Sequence, residues 1–316
     1  KEHKSTFQFC ENGAKAVTWE ATTKRVTPAF LAANTVSSLL AKSDFELEGY
    51  GRLTHPLVYD RDSDTLRPVA WEQAFARIGE ILRGLQPDEV EFYTSGRASN
   101  EAAWLFQLFA REYGTNNFPD CSNMCHESTS VGLPQSIGIG KGTVSLDDFD
   151  QTELVISIGH NPGTNHPRMM GTLHELSRRG VPIIVFNPLR ERALERFADP
   201  QNVMEMATRR STPIASTYYQ VRAGGDAAAL KGIAKALLQL EEEQGNVLDH
   251  AFIAQHTQGF TAFADDLHAT RWQDIEQESG LTRESLTQVA AAYAKSRATI
   301  VTYGMGITQH NKGTSN

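Results

Sequence analysis

The residues best suited to chemistry lie in segment 114–126, which holds two of the chain's three cysteines. Cys121 and Cys125 are four positions apart, and His126 directly follows the second cysteine. A thiolate binds soft metals, and an adjacent imidazole exchanges protons near neutral pH. The pair Cys125-His126 therefore indicates redox chemistry at a metal.

Two other interpretations of these residues stay open. Cys121, Cys125 and His126 are also potential zinc ligands, although structural zinc sites are tetrahedral and no fourth ligand is near. Free cysteines are among the most buried residues, so both thiols also fit as small apolar residues of a core. The segment by itself does not decide among these three roles.

The composition is that of an acidic, globular chain. With 316 residues, of which 40% are hydrophobic and 22% charged, the chain has the length for about two domains. Its net charge of −8 argues against a nucleic-acid partner, which requires a basic face.

Features linked to cellular location are few. No apolar run reaches the roughly 18 residues of a membrane span, and no signal peptide opens the chain. Three unevenly spaced cysteines fit reduced thiols rather than a disulfide framework. We therefore expect a cytoplasmic protein without a membrane span.

The chain opens without Met and stops without a closing element, which predicts a fragment.

The apolar pattern predicts an α/β fold with a doubly wound, Rossmann-like parallel sheet and flanking helices. Continuous apolar runs are typical of strands that are buried on both faces of such a sheet. The predicted strands are 154–158, 182–186, 218–222 and 299–303. Polar turns follow the strands, and ligands of doubly wound sheets bind at this carboxyl edge.

Shorter elements are predicted in the first part of the chain. The residues from Ala16 to Glu20 resemble a short strand, residues 36–40 a helix, and residues 90–94 a further strand. An apolar helical face extends from Ala74 to Leu85. A second helix is capped at Ser99-Asn100-Glu101 and ended by Gly114.

The polar turns at the strand ends fit an anion site. Backbone N–H groups at the starts of helices bind anions. Arg168, Arg190 and Arg222 lie near these turns in the sequence, and their guanidinium groups fit bidentate contacts with a diphosphate. The same turns also fit plain helix caps, and the arginines fit a solvated surface. No G-x-G-x-x-G loop follows a strand, and Gly138 to Thr143 lacks phosphate-loop spacing, which disfavours NAD dehydrogenases and P-loop NTPases.

Several motifs, taken in order over most of residues 50–316, resemble the molybdopterin oxidoreductase family, and most closely its formate dehydrogenase alpha subunits. The motifs are Ser95-Gly96-Arg97 with Asn100-Glu101, Tyr113 to Asn117, Asp120-Cys121 with Cys125-His126, Gly159 to Pro162 with His166-Pro167, and Gly304 to His310.

The resemblance implies a truncated multidomain subunit. Residues 1–65 would be the remnant of an N-terminal iron–sulfur and small β region, and residues 66–120 the first part of an α/β domain. Residues 121–303 would form a Rossmann-like guanine dinucleotide domain. Residues 304–316 would begin the return into the earlier α/β domain.

The resemblance also implies a bis(molybdopterin guanine dinucleotide) cofactor with molybdenum or tungsten. Cys125 would be the metal ligand, and His126 the proton acceptor of catalysis. The residues implied to bind the dinucleotides are Gly159, His160, Asn161, His166, Asn187, Pro188, Arg190, Gly224, Asp226, Met305 and Gln309.

Family members carry a four-cysteine motif for a [4Fe-4S] cluster near their start, and here only Cys10 matches it, as the last of the four. Cys10 is thus a possible iron–sulfur ligand, with the cluster expected in the full-length protein. Asn12 stands where formate dehydrogenases carry a lysine.

The implied activity is the two-electron oxidation of formate or a similar small substrate, with electrons passed to an iron–sulfur cluster and then to a protein partner. The alternatives are a catalytically silent scaffold subunit and a nucleotide-binding domain of the same fold. The Cys125-His126 pair disfavours the scaffold, which has no need of a metal ligand.

Overall fold

The computed structural model describes residues 11–94, 98–119, 121–208, 210–311 and 313–315. Contacts divide the chain into two compact units, one formed by residues 12–121 and the other by residues 122–316 together with the N-terminal segment that ends at Glu11. The elements before the division are α1 (Glu11–Glu20), β1 (Arg25–Val26), α2 (Pro28–Ala33), α3 (Val36–Leu40), α4 (Asp44–Gly49), β2 (Arg52–Leu53), β3 (Leu57–Asp60), β4 (Thr65–Pro68), α5 (Trp71–Arg83) and α6 (Asn100–Tyr113).

The second unit holds the remaining helices and strands. They are α7 (Cys121–Ile137), β5 (Leu154–Ile158), α8 (Pro162–Asn165), α9 (Pro167–Arg178), β6 (Ile183–Phe186), α10 (Arg192–Glu195), β7 (Arg196–Phe197), α11 (Val203–Thr208), β8 (Thr212–Pro213), β9 (Thr217–Tyr219), α12 (Asp226–Gln244), α13 (His250–His256), α14 (Phe260–Ala269), α15 (Trp272–Ser279), α16 (Arg283–Lys295), β10 (Thr299–Tyr303) and α17 (Met305–Thr308).

The main sheet of the second unit has four strands in the order β10-β5-β6-β9, and all neighbours are parallel. Every residue of β5 and β6 is buried, because helices cover both faces of the sheet. This arrangement confirms the predicted parallel α/β architecture. It also brings the carboxyl ends of β5 and β10 side by side, with Ile158 opposite Tyr303.

Alternate residues of the strands point into two separate cores. On one face, Ile156 and Ile158 pack with residues of α12, α15 and α16 such as Leu286. On the other face, Val155 and Val185 pack with apolar residues of α9. Burial of each such side chain contributes about 1.5–3 kcal/mol, so the sheet is the rigid part of this unit.

Two of the short strand predictions in the first unit are wrong. Residues 16–20 lie in α1, where helix-forming alanines outweigh a brief polar–apolar alternation. Residues 90–94 form no strand: the amide of Phe92 donates to the carbonyl of Asn117 at 2.9 Å, a single bond where a β ladder needs a series.

The helices predicted in this unit are confirmed at residues 36–40, 71–83 and 100–113. The hydroxyl of Ser99 caps α6 by accepting from the amide of Ala102 at 3.2 Å, and Gly114 ends the helix with a left-handed φ of 103°. The apolar face of α5 is largely solvent-accessible, since Phe75 and Ile78 are 62% and 52% exposed.

A search of the described helices finds none that is both long and apolar enough to cross a membrane.

Two helical glycines provide a test of the packing between α12 and its neighbours. A Cβ on Gly232 would lie 2.5 Å from Cδ1 of the fully buried Leu286, whereas a Cβ on the exposed Gly171 of α9 would meet nothing within 4 Å. We expect Gly232→Ala to lower the free energy of unfolding by about 1–3 kcal/mol through overpacking. Gly171→Ala should raise it by about 0.5–1 kcal/mol. Urea denaturation followed by circular dichroism measures both changes, and equal effects of the two variants would contradict this account of the packing.

Candidate functional site

The carboxyl ends of β5 and β10 meet through glycine backbone. The amide of Gly304 donates to the carbonyl of Ile158 at 3.2 Å, and the amide of Gly306 donates to the carbonyl of Gly159 at 3.2 Å. A Cβ on Gly306 would lie 2.6 Å from the Cα of Gly159, a distance that side chains do not tolerate. The close approach of the two segments therefore requires glycine at both positions.

The turn after β5 carries a pair of histidines. Nε2 of His160 and Nδ1 of His166 are 2.8 Å apart, and the rings are tilted with centroids 4.9 Å apart. His160 is buried, and its Nδ1 has no hydrogen-bond partner among the described residues. Burial, followed by the charge of His166, lowers the pKa of His160 to about 4. His160 is therefore a neutral imidazole near pH 7.

Asp226 begins α12 at the same edge of the sheet. Asp226 is buried, and its Oδ1 has no hydrogen-bond partner among the residues that the structure describes. Its neighbours include the apolar Ile158, Phe186 and Ile233. Burial raises the pKa of Asp226, and nearby His310 acts in the opposite direction. Burial of a carboxyl group without a hydrogen-bond donor costs free energy in such apolar surroundings.

The helix that carries the Cys-His pair is joined to the segment that follows β10. The side-chain amide of Gln309 donates to the carbonyl of Cys125 at 3.2 Å, and the hydroxyl of Tyr303 donates to that of Thr129 at 3.4 Å. A Cβ on Gly132 would lie 2.6 Å from the carbonyl of Thr314.

These three positions of α7 follow the spacing i, i+4 and i+7. They therefore lie on one face of the helix, which fixes its rotation about its axis. Cys125 is a free, partly buried cysteine on this face, and the adjacent His126 is exposed.

The turn after β6 is organised around a tyrosine that sequence reasoning missed. The hydroxyl of Tyr218 donates to the carbonyl of Leu189 at 2.6 Å and accepts from the amide of Glu191 at 3.0 Å. The buried Asn187 bonds to the same hydroxyl, and the guanidinium of Arg190 lies 5.3 Å from the tyrosine ring centroid. The sequence signal that could have identified this role of Tyr218 was an aromatic residue near the end of β9.

The other predicted ligand-binding residues lie in or beside the same turns. The side chain of Asn161 caps α8 by accepting from the amide of Thr164 at 3.2 Å. The carbonyl of Pro188 accepts from the side chain of Gln220 at 3.1 Å. Gly224 has φ of 81° in the turn before α12, and Met305, 44% exposed, opens α17.

The three arginines expected near a diphosphate all have interactions with protein groups. Arg190 pairs with Glu195 at 2.6 Å, and Arg222 donates to the carbonyl of Gln277 at 2.5 Å. Arg168, at the start of α9, also interacts within the protein. A ligand would therefore compete with, or share, these existing contacts.

Some predicted residues cannot be placed. Cys10, the motif Ser95-Gly96-Arg97 and Asp120 lie outside the described residues, and the side chain of Cys121 is likewise not described. Across the described part of the chain, no three His, Cys, Asp or Glu side chains form a metal-binding group.

Two hydroxyls inside the sheet are an additional feature of this edge. Ser157 of β5 and Thr302 of β10 are register partners in neighbouring strands. The oxygens of both side chains are buried, and each has no hydrogen-bond partner among the described residues. In the sequence, the signal for these two hydroxyls was a polar residue inside a predicted strand. Together with His160 and Asp226, they concentrate unpaired polar atoms at the carboxyl end of the sheet.

Comparison with known proteins places the chain among oxidoreductases. The family model described as Molybdopterin oxidoreductase matches residues 52–316. Protein YdeP of Escherichia coli K12 is 56% identical over 100% of this chain and 42% of its own length. An uncharacterized oxidoreductase of Mycobacterium bovis is 45% identical, over 96% of this chain and 39% of its own length.

More distant matches include a formate dehydrogenase and a solved structure with the same fold. Formate dehydrogenase H of Escherichia coli K12 is 28% identical over 83% of this chain and 34% of its own length. The solved structure of acetylene hydratase from Pelobacter acetylenicus matches 97% of this chain and 36% of that one, with a TM-score of 0.61 and 17% identity, which shows a shared fold. The chain thus spans about 40% of the length of the curated relatives it matches most strongly.

Asp226 gives a test of the electrostatics of this edge. Because its pKa is raised, folding takes up a proton there, and the wild type gains stability as the pH falls through the raised pKa. Asp226→Asn removes the buried charge, so we expect about 1 kcal/mol higher unfolding free energy at pH 8 and a gain that shrinks towards pH 4. Urea denaturation across this pH range measures the difference.

Asp249→Asn is the matched control for this prediction. Asp249 is exposed at the start of α13, where its carboxylate caps the amide of Phe252 at 2.9 Å. Since Asn caps a helix about as well as Asp, this variant should change stability by less than about 0.5 kcal/mol. A gain in Asp226→Asn that is independent of pH would show that the buried charge is not its cause.

Proposed function

Because the chain belongs to the molybdopterin oxidoreductase family, we propose that it binds a bis(molybdopterin guanine dinucleotide) cofactor with molybdenum or tungsten and oxidises formate or a similar small molecule by two electrons. The single observation that carries the proposal is the position of Cys125, whose backbone is bonded to Gln309 at the sheet edge where the ligand turns meet.

The residues at this edge suit a large polar cofactor. His160 and Asp226 each present a buried polar atom without a partner in the part of the chain that the structure describes, and such atoms cost about 1–3 kcal/mol when they stay unpaired. The contact between Gly159 and Gly306 leaves no room for a Cβ at either position and so fixes the two turns against each other. A ligand with both donor and acceptor groups would satisfy these atoms.

Cys125 and His126 would divide the chemistry between them. The thiolate of Cys125 is a soft ligand suited to a molybdenum or tungsten centre, and the bound cofactor supplies the two-electron acceptor that side chains lack. Gln309 and Tyr303 bond to Cys125 and Thr129 on the same face of α7, so the backbone at Cys125 is fixed before the ligand binds.

His126 would serve as the proton acceptor. Conversion of formate to carbon dioxide releases two electrons and one proton, and a neutral imidazole accepts a proton near pH 7. His126 is exposed on α7, next to the proposed metal ligand, so a proton taken from substrate can pass to solvent. The similarity to formate dehydrogenase H supports formate as the first substrate to test. A [4Fe-4S] cluster, with Cys10 as one ligand, and an electron-transfer protein would receive the electrons.

Replacement of the thiolate tests the metal-binding role. In the full-length protein, we expect Cys125→Ala to abolish formate oxidation with an artificial dye acceptor, because the metal loses its protein ligand. Molybdenum and pterin contents should fall only in part, since the dinucleotide turns remain. Elemental analysis and pterin fluorescence measure both contents.

Cys121→Ala is the control, because it removes the other cysteine of the same helix. It should keep molybdenum and most of the activity. Wild-type turnover in Cys125→Ala would refute the assigned role, and a wild-type protein without molybdenum, tungsten or pterin would refute the proposed function and favour a silent scaffold.

Replacement of His126 tests the proton transfer. We expect His126→Gln to lower kcat for formate by about 10²–10⁴-fold while the molybdenum content stays unchanged, because general base catalysis contributes on this scale. Glu127→Gln, at the next exposed position, should leave kcat within about twofold. An unchanged kcat in His126→Gln, measured with dye acceptor across pH 6–9, would exclude the histidine as the base.

A further inference from the structure

The two histidines after β5 share a single proton. Nε2 of His160 faces Nδ1 of His166 at 2.8 Å, so one of the two nitrogens carries a hydrogen and the other accepts it. A neutral imidazole has one N–H, and therefore the position of this hydrogen also decides the state of the second nitrogen of His160. If His166 donates, Nδ1 of His160 is a donor; if His160 donates, its Nδ1 is an acceptor.

The ring of His160 is held in place. His160 is 6% exposed, and a Cβ on the neighbouring Gly304 would lie 3.4 Å from Cδ2 of the ring. The depressed pKa keeps the ring neutral near pH 7, as described above. Nδ1 is thus a fixed, buried group without a partner among the residues that the structure describes. A bound group is needed to complete its hydrogen bonding.

The surroundings favour an anion over a neutral ligand at this nitrogen. His166 is the N-cap of α9, a helix of 12 residues, and the N-terminal end of a helix carries partial positive charge. An anionic oxygen only accepts hydrogen bonds, so Nδ1 of His160 must carry the hydrogen, and Nε2 of His160 then accepts a hydrogen bond from Nδ1 of His166. An anion at this site therefore requires Nδ1 of His160 to be a donor.

We propose that His160 donates its Nδ1–H to an anionic oxygen of the diphosphate of the bound guanine dinucleotide, in the tautomer that His166 imposes. This inference rests on the proposed function, and it adds the atom, the direction of the hydrogen bond and the residue that orients it. His160 is then a ligand-binding residue, and His166 is a positioning residue that acts through it.

Two substitutions of His160 test the contacts of its two ring nitrogens separately. The amide of Asn reaches about as far as Nδ1 of histidine, and the amide of Gln reaches about as far as Nε2. His160→Asn therefore keeps the proposed contact with the ligand and loses the contact with His166. His160→Gln does the reverse, so the two variants are matched in chemistry and differ in the position of one group.

The binding test uses the cofactor-free, full-length protein titrated with GDP, inorganic diphosphate and guanosine in a calorimeter. We expect His160→Gln to weaken GDP and diphosphate binding by about tenfold or more and to leave guanosine binding unchanged, since a hydrogen bond to a charged group is lost. His160→Asn should stay within about threefold of the wild type. Equal affinities of the wild type and both variants for GDP would overturn the proposal.

A second measurement identifies the tautomer of His160 directly in the wild type. ¹⁵N shifts of the histidine rings, recorded with GDP bound, report which ring nitrogen carries the hydrogen. The Nδ1–H tautomer of His160 is expected, and His166→Ala should convert part of the population to the other tautomer. An Nε2–H tautomer in the GDP complex would overturn the proposal even where a variant is poorly folded.

The outcomes also separate this inference from the proposed function. A wild-type protein that contains molybdenum and pterin but shows no effect of His160→Gln on GDP affinity leaves the function intact and refutes the role of His160. A wild-type protein that lacks the metal and the pterin and binds no GDP refutes both.

Discussion

The contact between Gly159 and Gly306 is the constraint on which the rest of the site depends. It brings the backbone after β5 against the backbone after β10 at distances that exclude any Cβ. The segment after β10 is thereby fixed relative to the sheet, and it includes Gln309, which bonds to the carbonyl of Cys125. A steric fact about two glycines thus determines where the proposed metal ligand lies relative to the proposed nucleotide turns.

The pairing of buried polar groups at this edge of the sheet differs from that in the core. The two apolar cores bury aliphatic side chains on both faces of β5 and β6, with their polar backbone paired in the ladder. At the carboxyl end, Ser157, Thr302, His160 and Asp226 instead place polar atoms in buried positions without partners in the described structure. Each departure lowers stability, and proteins retain such groups where a ligand uses them. The predicted gain in stability for Asp226→Asn follows from this conflict.

Sequence reasoning was most successful where one physical signal dominates. The apolar run at 154–158 predicts a strand that is buried on both faces, and β5 is buried throughout. Residues 299–303 also form a parallel strand, but β10 lies at the edge of the sheet, and Val301 is 51% exposed. The strand predicted at 90–94 was wrong, since five residues of suitable composition form a strand only when a neighbour pairs with them. The pairing of His160 with His166 depends on the path of the turn, and the bond between Gln309 and Cys125 joins residues 184 positions apart. Local patterns carry no information on either.

The geometry of α7 explains how a helix can present two neighbouring residues for different tasks. Cys125, Thr129 and Gly132 lie on one helical face, and all three are engaged by the segment from Tyr303 to Thr314. Three contacts along one face leave the helix no freedom to rotate. The residue after Cys125 is turned by about 100°, which places His126 away from this face and in contact with solvent. The proposed metal ligand Cys125 needs a fixed position, whereas the proposed proton acceptor His126 needs a route to water, and the helical periodicity is compatible with both proposed roles in adjacent residues.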